Sequence, residues 1–555
     1  MNVTTRWVLI FALVVFATCV PGGVLQGLTL PPQDQEDEGD DELVDEFLRF
    51  YNPKRSTRER IEAIYVLKGS STIAATKALT KAFDDKEIQV VQAAVETVGT
   101  FKDPDSVQFL IDQYITNKKE KKESRITAAV ECLGLMGDDR AADALLDLFK
   151  RVKSWELKQA MGTALGRLKT ERCLPSLELL IQDKDPTLRI VAVDAMALIN
   201  MPYAPVNELK DKKGEIIEGV EPIPCYESLV RVLNEESDWQ VRAAAIQAVR
   251  SMRFREGVQP LIDRLRVEEG RLRGDAYDAL KELTFSQYDD DPDQWQRFWD
   301  RNKDTFVIPD LSAVLEARAK RAEEGTRYSN PTASFAGIPT KSRRIMFIID
   351  ISGSMETQVT EIERFREGGR DYASFQRLEI VKKELSETIG SFDDSVHFNI
   401  LAFATKLKWW KKNLVRSNIL NKSSAKDFVS KLKPIGGASA GFKARAGLKP
   451  TALGEGKTNT YGALMAGLGI EEEDDLDNQI GRKTFRNKVD TIYFLSDGQP
   501  TVGKIVDQTE IRGLVRKVNS VRKVILHCIA IGDFQKNFMK SLAQENGGVY
   551  VDLGK

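Results

Sequence analysis

The stretch Ile345-Met346-Phe347-Ile348-Ile349-Asp350-Ile351-Ser352-Gly353-Ser354 decides the fold of the C-terminal part of this chain. Consecutive apolar residues without polar alternation read as a strand covered on both faces, the pattern of a parallel sheet. Directly after it come one carboxylate and two hydroxyls at alternate positions, Asp350, Ser352 and Ser354. Ligands in open α/β sheets bind outside the C-terminal ends of strands, and this Asp-x-Ser-x-Ser segment lies at such an end.

Working outward, strand patterns at 345–349, 396–403, 491–495, 524–531 and 548–551 alternate with helical patterns such as 378–389 and 511–521. That alternation predicts a doubly wound α/β (Rossmann-like) domain over 343–555. Two more segments carry oxygen donors to the same sheet edge. Gly456-Lys457-Thr458-Asn459-Thr460 precedes a helical pattern, and Phe494-Leu495-Ser496-Asp497-Gly498 ends a strand. Asp350, Ser352, Ser354, Thr458 and Asp497 offer oxygen only, which suits a hard cation: Mg²⁺ first, then Mn²⁺ or Ca²⁺. Two carboxylates balance a dication while three hydroxyls add no charge, leaving room for an anionic oxygen from another molecule.

These three pieces, in this order, resemble the von Willebrand factor A family, whose metal-ion-dependent adhesion site combines Asp-x-Ser-x-Ser with a distant Thr and a distant Asp. The resemblance covers 343–555. It implies that Ser352, Ser354 and Thr458 contact the metal and that Asp350 and Asp497 hold it directly or through water. It also implies a protein partner presenting an acidic residue. The family often has Gly-Gly before the Thr, whereas Lys457 stands here. The stretch 436–456 is expected beside the metal edge, where it would shape partner choice.

Upstream, seven helical patterns each deliver a small or modest residue followed by an aliphatic one: Val66-Leu67, Thr97-Val98, Cys132-Leu133, Ala164-Leu165, Ala195-Met196, Ala248-Val249 and Ala279-Leu280. They recur every 31–35 residues apart from one interval of 53, which an insertion near 201–222 explains. Paired short helices at this period indicate an all-α solenoid over 50–303. The segments 240–245 and 187–192 resemble the HEAT repeat family. Trp295, Phe298 and Trp299 are expected to cap the last apolar face. Residues 304–342 read as an interdomain linker.

The N-terminus has Arg6, an apolar run from Trp7 to Val20, and then Pro21-Gly22-Gly23. The run is shorter than the roughly 20 residues a membrane-spanning helix needs, so 1–27 reads as a cleaved signal peptide. An uncleaved leader or lipidation at Cys19 is the alternative, and the only route to a membrane. Residues 28–49 are strongly acidic and read as a disordered, solvated spacer. Export to the periplasm, cell envelope or medium follows. The leader and the domain pairing resemble bacterial proteins.

Lys plus Arg, 81, nearly equals Asp plus Glu, 83, so the footprint of a nucleic-acid binder is missing. Cys132, Cys173, Cys225 and Cys528 lack Cys-x-x-Cys spacing and support neither a zinc cluster nor a disulfide framework. Gly456-Lys457-Thr458 falls short of a phosphate-binding loop because position 451 is Thr instead of Gly. Gly437-Ala438-Ser439-Ala440-Gly441 matches a serine-hydrolase elbow, with Asp497 and His527 in the required order, but lacks the preceding strand. The chain is therefore expected to be a non-catalytic binding or adhesion protein, the solenoid serving as a second surface. Alternatives are an accessory subunit of a chelatase or ATPase assembly, by resemblance, and a hydrolase using Ser439.

Overall fold

The computed structural model describes residues 34–200, 209–210, 216–218, 225–309, 311–314, 316, 320, 333–359, 362, 372, 374–437, 456–470, 488–532 and 536–553. The leader, Ser439, most of 436–456 and most of the insertion lie outside these. Among the described residues no helix is long and apolar enough to cross a membrane.

The acidic tract differs from its expected state: it forms helix α1 (Asp34–Phe50). Composition suggested a solvated coil, but Phe47 is fully buried, with Leu43 and Val44 partly buried beside it. One apolar stripe anchors the helix although its other faces are charged.

The repeat array is a stack. Its inner row comprises α2 (Thr57–Val66), α3 (Ile88–Val98), α4 (Glu123–Met136), α5 (Trp155–Arg167), α6 (Pro186–Asn200), α7 (Trp239–Met252) and α8 (Gly270–Thr284). Each helix packs on the next, and shorter helices such as Leu174–Leu180 and Val258–Val267 lie between them. The seven small-aliphatic pairs fall one to each inner helix or its end. Small residues set the spacing: a Cβ on Gly134 would lie 2.7 Å from Ala164 Cα, and one on Gly166 would lie 2.6 Å from Ala195 Cα.

The insertion leaves the stack unbroken. α6 packs directly on α7, and Arg189 and Arg242 make equivalent bonds. Arg189 holds Glu236 (2.7 Å) and the carbonyl of Asp183, while Arg242 holds Glu268 (2.7 Å) and the carbonyl of Glu236. Within the insertion only a short antiparallel pair, β1 (Leu209–Lys210) and β2 (Ile216–Glu218), is described. The stack ends at α9 (Pro292–Asn302), where Trp295 and Trp299 are buried and Trp295 meets Tyr277 and Tyr288 edge-on.

Part of the expected linker belongs to the C-terminal core. β3 (Ala333–Phe335) and β4 (Ile338–Thr340) form a hairpin whose Phe335 packs edge-on against Phe347 and Tyr493, with centroids 5.1 and 5.5 Å away. Ala336 and Ile338 are buried beside it, and the Pro, Ser and Gly content of the segment masked these few apolar anchors.

Among the described residues the main sheet has seven strands: β5 (Arg344–Asp350), β6 (His397–Phe403), β7 (Leu407–Trp409), β8 (Val415–Arg416), β9 (Thr491–Ser496), β10 (Ile525–Ala530) and β11 (Tyr550–Asp552). The order is β11-β10-β9-β5-β6-β7, with β8 also on β6; all pairings are parallel except those of β7 and β8. Alternate β5 residues serve opposite faces. Ile345, Phe347 and Ile349 meet α10 (Arg377–Ser391) and α11 (Ile419–Ser430). Met346 and Ile348 belong to the core with α12 (Thr460–Gly467), α13 (Gln508–Arg522) and α14 (Lys536–Glu545). The unbroken apolar run thus reflects a strand with no wet face.

The solenoid grips this domain by the N-terminal ends of its strands. Lys523, just before β10, is bound to Asp194 of α6 at 2.7 Å, the lysine side chain nearly buried and the aspartate partly exposed. Arg271 of α8 donates to the carbonyls of Asp490 (3.1 Å) and Lys523, and Arg343 pairs with Glu269. α13 faces the inner row across a cleft of about 780 Å³. The contact continues along α13, where a Cβ on Gly513 would lie 3.5 Å from Gln92 of α3.

Candidate metal centre

Asp350 closes β5 and is fully buried. Its Oδ1 accepts the Ser352 N–H (2.8 Å) and its Oδ2 accepts the Ser496 hydroxyl (2.6 Å). The chain turns here because Ile351 N–H donates to Phe403 O at the end of β6, while Gly353 N–H donates to Gly456 O. The second bond ties the Thr458 segment to the Asp-x-Ser-x-Ser turn.

Ser352 Oγ lies 3.1 Å from Ser354 Oγ, and Ser354 donates to Asp497 Oδ1 at 2.7 Å. Thr458 is fixed by reciprocal bonds with Thr501: its N–H donates to Thr501 Oγ1 (2.9 Å), and Thr501 N–H donates to its carbonyl (3.0 Å). Asn459 then caps α12 by accepting from Gly462 N–H. Gly498 marks the point of convergence. A Cβ there would stand 3.0 Å from Thr458 Oγ1, 3.4 Å from Ser354 Oγ and 3.7 Å from Asp350 Oδ2. The structure therefore brings all five sequence-selected residues to one edge. Lys457 beside them is exposed, and its N–H donates to Thr405 Oγ1.

The electrostatics are unusual for so small a volume. Burial first, and then the charge of Asp497, push the Asp350 carboxyl up to about 7. Asp497 is raised too, chiefly by burial, against the lowering pull of Ser354 and Arg377. Among the described residues no cationic side chain bonds to Asp350, and no three His, Cys, Asp or Glu side chains cluster. Two buried carboxylates held close, with hydroxyl donors around them and a cationic partner only on Asp497, fit a small divalent cation, whose charge would serve Asp350.

Sequence reading missed Ser496, which holds Asp350, and Arg377, whose Nη1 donates to Asp497 Oδ2 at 2.6 Å. Ser496 could have been found as the neighbour of Asp497. Arg377 opens an ordinary amphipathic helix, and no spacing ties it to the motif.

The hydrolase arrangement finds no support from the described residues. His527 is buried, stacks on Tyr493 (4.9 Å), and spends Nδ1 accepting from Val549 N–H (3.1 Å). Burial drives its pKa down to about 3, leaving a neutral core imidazole. Cys132, Cys173, Cys225 and Cys528 are free thiols.

The C-terminal part is a von Willebrand factor type A domain, matched over residues 370–552, and the helical part carries a HEAT-like repeat of the PBS lyase type, matched at 127–151. Curated relatives include human inter-alpha-trypsin inhibitor heavy chain H4, 23% identical over 48% of this chain and 24% of that protein. Human heavy chain H1 is 27% identical over 37% of this chain and 18% of that protein. The chain thus spans a quarter or less of the length of these relatives. Among solved structures, a von Willebrand factor type A protein from Catenulispora acidiphila is 16% identical over 39% of each chain, TM-score 0.26. The phycocyanin lyase complex of a Nostoc species is 16% identical over 51% of this chain and 99% of that chain, TM-score 0.26. Scores this low have no bearing on function.

Proposed function

We propose that this chain is a non-catalytic, exported binding protein that captures an acidic group of a protein partner at a divalent-cation site. The observation that carries this reading is the convergence of Asp350, Ser352, Ser354, Thr458 and Asp497 around Gly498, two buried carboxylates and three hydroxyls with no histidine among them. Mg²⁺ is the cation best suited to such a donor set, ahead of Mn²⁺ and Ca²⁺. When bound, it supplies an electron-poor coordination position for an anionic oxygen. Ser352, Ser354 and Thr458 orient neutral oxygens toward it, and Asp350 and Asp497 supply countercharge. Ser496 and the Ser352 N–H fix Asp350 so that the site is assembled before any partner arrives. The solenoid provides a second surface, and two linked contacts raise avidity.

Calorimetric titration of the full chain with MgCl₂ tests this. Asp350→Ala should abolish Mg²⁺ binding while the chain stays folded, and partner capture from an envelope or secreted fraction should stop in EDTA. Unchanged Mg²⁺ affinity in the variant would refute the metal assignment. Capture that is indifferent to EDTA would reduce the site to a structural one.

A further inference from the structure

We propose that Arg377 sets the ligand preference of the metal centre: it is a resident buried cation that leaves the metal-loaded site one positive charge in excess, so cation and carboxylate bind cooperatively. This rests on the reading above and goes beyond the five-residue motif.

Arg377 is the first residue of α10 and is 7% exposed. Its guanidinium takes Asp497 Oδ2, while Ser354 takes Oδ1, so Asp497 is held from both sides. The placement is built. Arg377 N–H donates to Thr357 O (2.9 Å), and Gln376 Nε2 donates to Glu356 O (2.8 Å), tying the helix start to the motif loop. On the far side lies Gly532, at φ +136°, where a Cβ would sit 2.9 Å from Arg377 Cζ. Only a residue without a side chain leaves room for the guanidinium. Arg377 Nε is buried with no hydrogen-bond partner, so the group is not there for ideal bonding. Its charge is the constant feature.

The charges decide the consequence. With both carboxylates ionised, as cation binding requires, Asp350 and Asp497 with Arg377 sum to one negative charge; a dication turns this into one positive, and a carboxylate brings it to neutral. Without Arg377 the loaded site is already neutral, and an incoming carboxylate leaves a net buried negative charge. Charge imbalance is costly where water is excluded. Arg377 therefore weakens the cation alone and strengthens cation plus acid.

The test is Mg²⁺ titration of the full chain in chloride and in acetate at matched ionic strength, with circular dichroism to confirm folding. In the wild type, acetate should tighten Mg²⁺ binding. Arg377→Gln should bind Mg²⁺ at least about tenfold more tightly in chloride and lose the acetate effect. Arg377→Lys should restore both wild-type properties. Wild-type Mg²⁺ binding that ignores acetate overturns the proposal without any variant, as does a folded Arg377→Gln with unchanged affinity. Absence of Mg²⁺ binding by the wild type under either anion would instead remove the metal reading itself.

Discussion

Asp350 at the end of β5 and Asp490 before β9 are both buried carboxylates, yet only Asp490 lies near cationic side chains. Asp490 receives Ser342 Oγ and lies near Arg271 and Arg344, but burial still outweighs them and raises it from 3.8 to about 6. Between those values the folded chain holds more protons than the unfolded one, so this group's contribution to stability falls as pH rises through the window. Asp490→Asn should flatten the change in melting temperature between pH 4 and pH 6 seen by calorimetry; an unaltered profile would discount the shift. At this scale the sequence was informative where chemistry repeats a pattern. Asp350, Ser352 and Ser354 announce themselves by alternation, and Asp497 by ending a strand. Arg377 was invisible because a buried guanidinium and a surface one look alike in an amphipathic helix.

Among the elements, the solenoid was legible through period, since one inner helix per repeat must present small residues to its neighbour. Gly166 is the tightest such point between α5 and α6. Gly166→Ala would press a methyl into Ala195 and should cost about 1–3 kcal/mol, measurable as a lower urea midpoint. A neutral result would mean that the helices slide apart freely. Two elements escaped composition-based reading for the same physical reason. α1 and the β3–β4 hairpin are each anchored by a few apolar side chains, chief among them the buried aromatics Phe47 and Phe335, within largely polar sequence. Average polarity says little when a few side chains carry the packing.

For the whole molecule, the sequence offered two domains but no clue to their contact. The interface uses long polar side chains scattered from Asp194 to Lys523, which read as solvated surface one at a time. Lys523→Glu would set a second carboxylate face to face with Asp194. The expected outcome is release of the domains from each other, visible as a larger radius of gyration in small-angle scattering and faster proteolysis between them, with Mg²⁺ binding retained. A compact, resistant variant would show that the remaining contacts suffice.

The bonds to the solenoid at the strand starts and the candidate metal edge at the strand ends lie at opposite ends of the parallel core of the sheet. A partner tugging on the metal edge while the solenoid is anchored would load β5 lengthwise, against β6 paired with it residue for residue from Arg344 to Asp350 and β9 on its other side. Those rungs must fail together in shear instead of peeling one by one. Resistance to such a pull is then a rate property of the sheet.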